Sequence, residues 1–365
     1  MKKFNIRTIL IAPLDWGLGH ATRCIPIIKV LKNAGFNVII ACNDKQKSLL
    51  SAECNDVRFI DLEGYNIQYT KRSWFFALKI IFQIPKIIAS IKREKKCLEK
   101  IIDEEKIDLV ISDNRYGLNN TKVPCVFITH QLTIKAPFKW LEQLLQTINY
   151  RYIKRFNQCW IPDNSGDDNI AGVLSHPKKM PSIATNYIGL LSRFIKPENT
   201  TKKFDVCVLL SGPEPQRTIL ENILLKQLDK ATNLKIFFVR GLPQTTEILM
   251  ASTAIEIANH LNQKDMLNII CSSEIIIARS GYTTVMELMA LQKKSILIAT
   301  PGQTEQEYLA KYLFQQQKCL SYNQTEINVI EAIKIAKNFD YKLSSIENFN
   351  ENRIIDLVND LIDNF

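Results

Sequence analysis

The sequence lacks several patterns that would indicate other classes of protein. Its nine cysteines form no C-x-x-C pair and have no metal-binding spacing, which favours reduced thiols in a cytosolic protein. It contains no run of about 20 uncharged apolar residues, the length that a membrane-spanning helix requires. The apolar run at residues 9–13 is too short for a signal peptide. No G-x-G-x-x-G motif follows either of the strands predicted to open the two halves of the chain, which disfavours dinucleotide oxidoreduction.

The composition is that of a globular protein with an excess of positive charge. Of 365 residues, 46% are hydrophobic and 23% are charged, and the formal net charge is +10. At roughly 150 residues per domain, the length predicts two domains. A basic surface suits nucleic acid, phosphorylated ligands or anionic lipid. Because no aromatic-interleaved nucleic-acid motif is present, we expect no nucleic-acid partner.

Much of the excess charge lies in residues 71–100, which hold nine Lys and Arg against two Glu. Trp74, Phe75 and Phe76 open this stretch. Aromatic side chains on one side of a helix and cations on the other suit peripheral contact with an anionic membrane. The alternative is an amphipathic helix that faces the core and exposes its basic side to water. Pro85 should bend or restart this helix.

Apolar runs that alternate with helical periodicity predict an α/β protein built in two halves. A strand, loop, helix and second strand follow one another within residues 8–41, which is typical of a parallel sheet. The pattern restarts with an apolar strand at residues 204–210, after the polar candidate linker at 196–203. We therefore expect two Rossmann-like domains, at residues 1–193 and 194–345. A last helix lies at residues 346–365, and one arrangement that we consider is that it packs back on the first domain.

The first candidate site is the loop at residues 16–21, between the first strand and the first helix. Glycines such as Gly19 let the backbone approach a ligand, and the helix start offers N–H groups. His20 should lie at the carboxyl edge of the sheet, where it can act as a general base near neutral pH. The alternative is a tight turn with a surface histidine. Asp113 and His130, which each follow a predicted strand, are the second and third candidates for the base.

The second candidate site is the turn at residues 211–217, which follows the strand that opens the second half. Arg217 in the first turn of the next helix has the planar donor fork that matches phosphate oxygens. Pro213 and Pro215 remove two N–H groups from the turn, which weakens a phosphate-loop interpretation. A rigid turn without a ligand is the alternative.

The third candidate site consists of two loops, at residues 278–288 and 298–307, that each follow a strand and enter a helix. Small and hydroxylated residues at a helix start suit a diphosphate. Glu287, about one turn further on, can accept hydrogen bonds from both hydroxyls of a ribose. The alternative is two ordinary capped helices with acidic first turns. The candidate donor-binding residues are Ser280, Gly281, Thr283 and Thr284, followed by Glu305, Gln306 and Glu307.

Five motifs together resemble those of family 28 glycosyltransferases. They read GLGHATR (17–23), GLLSR (189–193), SGPEPQR (211–217), ARSGYTTVMEL (278–288) and PGQTEQE (301–307). The resemblance spans nearly the whole chain and implies the GT-B fold, two Rossmann-like domains that face each other across a cleft. The sequence departs from the family pattern in having fewer glycines in the first two loops, and Glu307 stands where a second Gln is typical.

The resemblance implies a metal-independent, inverting transfer of a sugar from a nucleotide diphosphate donor, with a UDP-sugar expected and no cofactor. It leaves the acceptor open, a lipid-linked acceptor being one candidate, and it implies a cytoplasmic protein, at the inner face of the membrane if the acceptor is lipid-linked. By the resemblance, His20 lies near the acceptor and Leu261 marks the main chain that contacts a uracil-type base. The remaining implied donor contacts are Arg217 near the diphosphate, Ser280, Gly281, Thr283 and Thr284 at the phosphates, Glu287 at the ribose, and Gln306 and Glu307 at the sugar.

Two other functions remain open from the sequence. A nucleotide-sugar epimerase has the same pair of Rossmann-like halves and would form its product without an acceptor. A non-enzymatic protein that binds an anionic surface is supported by the net charge alone.

Overall fold

The computed structural model describes residues 7–65, 76–136, 138–247, 249, 255–343 and 349–365, with backbone alone for 76–84. The chain divides into two compact units. Of the described residues, the first unit contains those in 7–65, 77–193 and 349–365, and the second contains those in 194–343 together with Phe76. Trp74 and Phe75 lie outside the described residues.

Each unit is built on a parallel β-sheet, as predicted. The described residues of the first unit form a seven-stranded sheet in the order β3-β2-β1-β4-β5-β6-β7, and those of the second form a six-stranded sheet in the order β10-β9-β8-β11-β12-β13. The strands of the first sheet are β1 (Thr8–Pro13), β2 (Asn37–Cys42), β3 (Arg58–Asp61), β4 (Leu109–Asp113), β5 (Cys125–Ile128), β6 (Gln158–Ile161) and β7 (Ala184–Tyr187). Those of the second are β8 (Phe204–Leu209), β9 (Ile236–Val239), β10 (Ile255–Ala258), β11 (Ser273–Ala278), β12 (Lys294–Ile298) and β13 (Leu320–Tyr322).

Helices connect the strands and cover the two sheets, which explains why the central strands are continuous apolar runs. The helices are α1 (Gly19–Asn33), α2 (Asp44–Glu53), α3 (Phe76–Glu105), α4 (Lys139–Ile153), α5 (Gln216–Leu228), α6 (Gln263–Ser272), α7 (Tyr282–Ala290), α8 (Thr304–Gln315), α9 (Val329–Asn338) and α10 (Glu351–Asp363). The helix α3 continues through Pro85, so the proline does not restart it. None of the helices in the described residues is long and apolar enough to cross a bilayer.

The order of the strands fixes where a ligand can bind in each unit. In the first sheet the chain moves outward from β1 through β2 to β3 and then returns to β4 on the other side of β1. In the second sheet the chain likewise moves outward from β8 through β9 to β10 and then returns to β11 on the other side of β8. The loops that leave the carboxyl ends of two such strands run in opposite directions and leave a crevice between them. All three candidate sites of the sequence analysis contain loops that leave these four strands or β12.

The last helix, α10, is part of the first unit. It contacts α1 and β4. Its buried side chains, Ile354, Val358 and Leu361, recur at the helical spacing of three to four residues. The Asp363 carboxylate forms an ion pair with Arg7 ahead of β1. The carboxyl-terminal residues therefore contribute to the core that supports β1 and β4.

Gly241, which follows β9, is held in a conformation that only glycine adopts readily. Its φ is 72°, and a Cβ added there would lie 2.2 Å from the carbonyl oxygen of Leu210. We predict that Gly241→Ala lowers the free energy of unfolding by at least about 2 kcal/mol, because backbone strain and a collision with main chain add. Urea midpoints measure the loss. Gly166→Ala is the control, because nothing lies within 4 Å of its added Cβ. Equal midpoints for the two variants would contradict the prediction.

Candidate active site

The first site forms where β1 and β4 pair in the middle of the first sheet. Pro13 lies opposite Asp113 in the parallel register, and the Leu14 amide donates to the Asp113 carbonyl oxygen at 2.9 Å. The loop after β1 leads to α1, whose second residue is His20. His20 Nδ1 lies 3.0 Å from Asp113 Oδ2. Strand pairing therefore brings together two residues that are 93 positions apart in the sequence.

Arg23 joins the three candidate bases into one cluster. Its Nε donates to Asp113 Oδ1 and Oδ2 at 3.1 and 2.9 Å, and its Nη2 also donates to Oδ1. Its Nη1 lies 3.2 Å from His130 Nδ1. A guanidinium has no acceptor, so His130 Nδ1 must accept this hydrogen bond. Arg23 was not among the predicted site residues, although its spacing of three from His20 places both on one face of α1.

The charges of this cluster set the protonation states. Burial and the neighbouring Arg23 lower the pKa of His20 below its ordinary value, against the opposing effect of Asp113. Burial alone would raise the pKa of Asp113, but Arg23 and His20 more than offset it and hold the pKa at about 2. At neutral pH the carboxylate is thus ionised and can only accept hydrogen bonds. His20 Nδ1 therefore carries the proton, and Nε2 keeps its lone pair.

Exposure separates the three candidate bases. The side chain of His20 is 15% exposed, whereas that of Asp113 is fully buried. His130 is also buried, and its Nδ1 is engaged by Arg23. Next to Asp113, Asn114 adopts a φ of 59°, and its buried Oδ1 has no partner in the described part of the chain. His20 is accordingly the candidate best able to receive a proton from a ligand.

In the second unit, Gln306 binds the loops after β11 and β12 together. Ser280 Oγ donates to the Gln306 carbonyl oxygen at 2.8 Å. The side-chain Oε1 of Gln306 accepts from the Thr300 amide at 2.9 Å. A Cβ added to Gly281 would lie 4.0 Å from Gln306 Nε2. The two loops of the third candidate site thus meet, and the hydroxyl of Ser280 is used to hold them in place.

The helices that follow the central strands differ from others in how they begin. No side-chain cap hydrogen bond is present at the N-terminus of α1, α7 or α8, whereas in the first turn of α5 the Thr218 amide donates to Glu214 Oε2 at 3.3 Å. An asparagine side chain caps each of α2, α6, α9 and α10. The amides in the first turn of a helix have no partner within the helix, so an uncapped start is suited to an anionic ligand. The uncapped starts at both switch points mark the same loops that the sequence singled out; α4 also begins without such a cap.

Arg217 lies in an environment that the sequence did not predict. Its Nε donates to Glu214 Oε1 at 2.5 Å, and its Nη1 lies 3.1 Å from Glu221 Oε2. Arg240 Nε donates to the same Glu221 at 2.6 Å on Oε1. The guanidinium of Arg217 is buried and its charge is matched by these carboxylates. Its contact with a diphosphate stays a prediction, whereas its contacts within the unit fix the start of α5.

The other predicted donor-binding residues lie along the same loops. Glu287 is buried in α7, and Leu261 is half-buried just before α6. Gly19 is the first residue of α1. Thr283 and Thr284 are half-buried in the first turn of α7, whereas Glu307 is exposed in α8 and its Oε1 accepts from the Gly302 amide at 2.8 Å. Across the described ranges, no group of three or more His, Cys, Asp or Glu side chains has a metal-binding arrangement.

Comparison with known proteins supports the resemblance inferred from the motifs. Residues 207–358 match the sequence profile of the glycosyltransferase family 28 C-terminal domain. No curated protein sequence matches the chain. MurG of Acinetobacter baumannii aligns with 97% of this chain and 99% of its own, at 13% identity and a TM-score of 0.59.

Two further solved structures have the same fold. The glycosyltransferase of kitacinnamycin aligns with 98% of this chain and 95% of its own, at 11% identity and a TM-score of 0.65. UGT2 of Phytolacca americana, solved with UDP-2-fluoro-glucose and pterostilbene, aligns with 98% of this chain and 94% of its own, at 14% identity and a TM-score of 0.60. The chain therefore has the fold of the GT-B glycosyltransferases and resembles family 28, whose C-terminal domain its second half matches.

Proposed function

We propose that the protein transfers a sugar from a nucleotide diphosphate donor, with UDP as the expected nucleotide, to a hydroxyl of an acceptor. The observation that carries this proposal is the contact of His20 with the buried, ionised Asp113. A neutral histidine held through Nδ1 by a carboxylate is the arrangement of a general base. The match of the second half to a glycosyltransferase domain supports the reaction class.

In the proposed reaction, the acceptor hydroxyl gives its proton to His20 Nε2 and its oxygen attacks the anomeric carbon of the donor. The bond from that carbon to the phosphate oxygen breaks, and its electron pair stays on the departing nucleoside diphosphate. Attack on the face opposite the leaving group inverts the configuration. The proton transfer leaves a positive charge on the His20 ring. Asp113 Oδ2, which lies 3.0 Å from His20 Nδ1, stabilises that charge.

The donor is assigned to the second unit. The uncapped starts of α7 and α8 stabilise the negative charge that grows on the leaving diphosphate, which requires no metal ion. Glu287 is proposed to accept the ribose hydroxyls, and the main chain at Leu261 to contact the base. Gln306 reaches both loops through its side chain and main chain, so its role at the sugar is combined with a structural one.

The first unit also has a surface that suits an anionic membrane, which supports a lipid-linked acceptor and a location at the inner face of the membrane. The first part of α4 exposes Trp140, Leu144 and Ile148 at a spacing of four residues, which places them in one stripe. The outer side of α3 exposes cations at Lys86, Lys92, Arg93, Lys95, Lys96 and Lys100. Exposed apolar residues and exposed cations are both typical of binding to anionic lipid.

The two helices of this surface are connected to the site. Ile87 of α3 and Tyr152 of α4 pack in one apolar cluster with Tyr116. From the same helix α4, Asn149 Nδ2 donates to the Gln131 carbonyl oxygen at 2.8 Å. Gln131 directly follows His130, so the proposed lipid surface is tied to the loop of the proposed active site.

We predict that His20→Ala lowers turnover by a factor of about 10² to 10⁴, the usual contribution of a general base. The variant should bind UDP with unchanged affinity by calorimetry, because His20 is not assigned to the donor. In the wild type, activity should fall with decreasing pH through a midpoint below 6.5, because the lowered pKa of His20 keeps the base neutral down to that range. Wild-type turnover in the variant, or conversion of the donor to an epimer without an acceptor, would contradict the proposal.

The pairing of Arg23 with Asp113 gives a prediction for stability. Asp113→Asn leaves the buried Arg23 without its carboxylate and should lower the free energy of unfolding by about 3–5 kcal/mol. Combining it with Arg23→Met removes both charges and should recover part of the loss. Chemical denaturation of the two single variants and the double variant measures the coupling. Losses in the double variant that equal the sum of the two single losses would show that the charges do not interact.

The lipid surface is tested by sedimentation with vesicles. The double variant Trp140→Ser with Leu144→Ser should bind vesicles of phosphatidylcholine and phosphatidylserine about tenfold or more weakly at low salt, because it removes apolar area that enters the interface. Phe314→Ser, at a position of the second unit that is 45% exposed, is the control and should bind like the wild type. The surface has no such role if the wild type ignores anionic vesicles or if both variants bind alike.

A further inference from the structure

Arg279, the residue before Ser280, is a buried cation whose contacts are all with neutral oxygens. It is 1% exposed. Nη1 donates to the Ala299 carbonyl oxygen at 3.0 Å. Nη2 donates to the Gln216 carbonyl oxygen at 2.8 Å and to Gln324 Oε1 at 2.5 Å. Its Nε is buried and has no hydrogen-bond partner in the described residues.

The other buried arginines of the described chain have carboxylate partners. Arg23 pairs with Asp113, and Arg115 lies 3.2 Å from Glu94. Arg217 and Arg240 share Glu221. Arg279 forms no such pair within the described ranges.

Burial lowers the pKa of Arg279 to about 10, which still leaves it charged at neutral pH. A buried charge without a countercharge is unfavourable, and an anion bound nearby offsets that free energy.

Thr300 supplies a second, independent indication that a ligand binds at these loops. It is 2% exposed, and its buried Oγ1 has no partner in the described residues. A Cβ added to Gly212, in the turn after β8, would lie 3.8 Å from that oxygen. The hydroxyl of Thr300 therefore lies beside the turn that leads into α5. Buried hydroxyls are normally hydrogen-bonded, so an unpaired one at a loop is a natural contact for a ligand.

The contacts of Arg279 lie on segments that lead into three helices, of which α7 and α8 begin without a side-chain cap. Ala299 follows β12 and leads to α8, Gln216 is the first residue of α5, and Arg279 itself leads to α7. The positive ends of these helices and the guanidinium of Arg279 both attract an anion. The surrounding carbonyl groups take up its hydrogen bonds but do not neutralise its charge.

We propose that Arg279 is the buried countercharge of the donor diphosphate and that the Thr300 hydroxyl donates a hydrogen bond to one of its phosphate oxygens. This inference rests on the proposed function and specifies its donor site. Arg279 is a positioning residue: it holds the starts of α5 and α8 through main-chain oxygens and adds a fixed positive potential without touching the donor. Its positive potential should therefore strengthen the binding of the diphosphate and leave that of the nucleoside unchanged.

The test compares a nucleoside diphosphate with its parent nucleoside by calorimetry, using UDP against uridine and TDP against thymidine. In Arg279→Met the affinity for the diphosphate should fall at least tenfold while the affinity for the nucleoside stays within twofold. A merely structural role would weaken both alike. Arg279→Lys, which keeps the charge, should restore most of the ratio between the two affinities. Thr300→Val should lower the affinity for the diphosphate about threefold to tenfold.

Arg115→Met is the control, because it removes a buried arginine that pairs with Glu94 in the first unit, away from the residues assigned to the donor. It should lower stability and leave the ratio of diphosphate to nucleoside affinity unchanged. If Arg279→Met does not fold, Arg279→Gln, which removes the charge but keeps a hydrogen-bond donor, and Thr300→Val carry the comparison, and an unchanged ratio in both would overturn the inference. Wild-type protein that binds none of these nucleotides would instead overturn the proposed donor, which keeps the two failures distinct.

Discussion

The first unit depends on one buried carboxylate, Asp113, placed between a guanidinium and an imidazole. The pairing of β1 with β4 brings it opposite the loop that leads to His20, and α1 places Arg23 on the same face as that histidine. Arg23 compensates the charge that burial would otherwise suppress. The carboxylate in turn fixes the imidazole through Nδ1. Fold and chemistry therefore share the same contacts, because the ion pair that stabilises the strand ends also orients the proposed base.

The second unit has the same strand topology, but the buried arginine at its switch point differs from that of the first unit in having no carboxylate partner among the described residues. Its switch point lies between β8 and β11, and Arg279 is buried there without a carboxylate among the described residues. At the switch point of the first unit, the buried Asp113 is paired with the buried Arg23, which suits a base that must be neutral before the reaction. At the switch point of the second unit, Arg279 has no carboxylate partner in the described chain and precedes the uncapped start of α7, which suits an anion that arrives and leaves. The two units thus divide the proposed chemistry between proton transfer and stabilisation of the leaving group.

The sequence predicts the centre of each sheet better than its edges. The strands β1, β4, β8 and β11 are buried on both faces and stand out as apolar runs. The edge strands β3, β10 and β13 and the helices α2 and α4 were not predicted. The edge strands are short and carry polar or charged residues, such as Arg58 and Glu256, because one of their sides meets water. Helix α4 leaves part of its apolar side exposed, so its pattern does not follow the rule that apolar residues face the core.

The loops of the site were located from the sequence, but the partners of individual side chains were not. Glycine, small residues and a following helix indicate a ligand loop without long-range information. That Arg23 pairs with Asp113, or that Arg279 donates to the Gln216 carbonyl oxygen, depends on strands far apart in the sequence that the sheet brings together. Arg279 stood inside a recognised motif, yet only its burial distinguishes it from an ordinary surface arginine.

The most direct test of the central claim is the protonation state of the His20 ring. The protein has four histidines, so ¹⁵N spectra of labelled protein can be assigned with single variants. At pH 7 we predict a neutral ring with its proton on Nδ1 and an unprotonated Nε2, because the ionised Asp113 accepts from Nδ1. An imidazolium at that pH, or a neutral ring with the proton on Nε2, would contradict the assignment of His20 as the base.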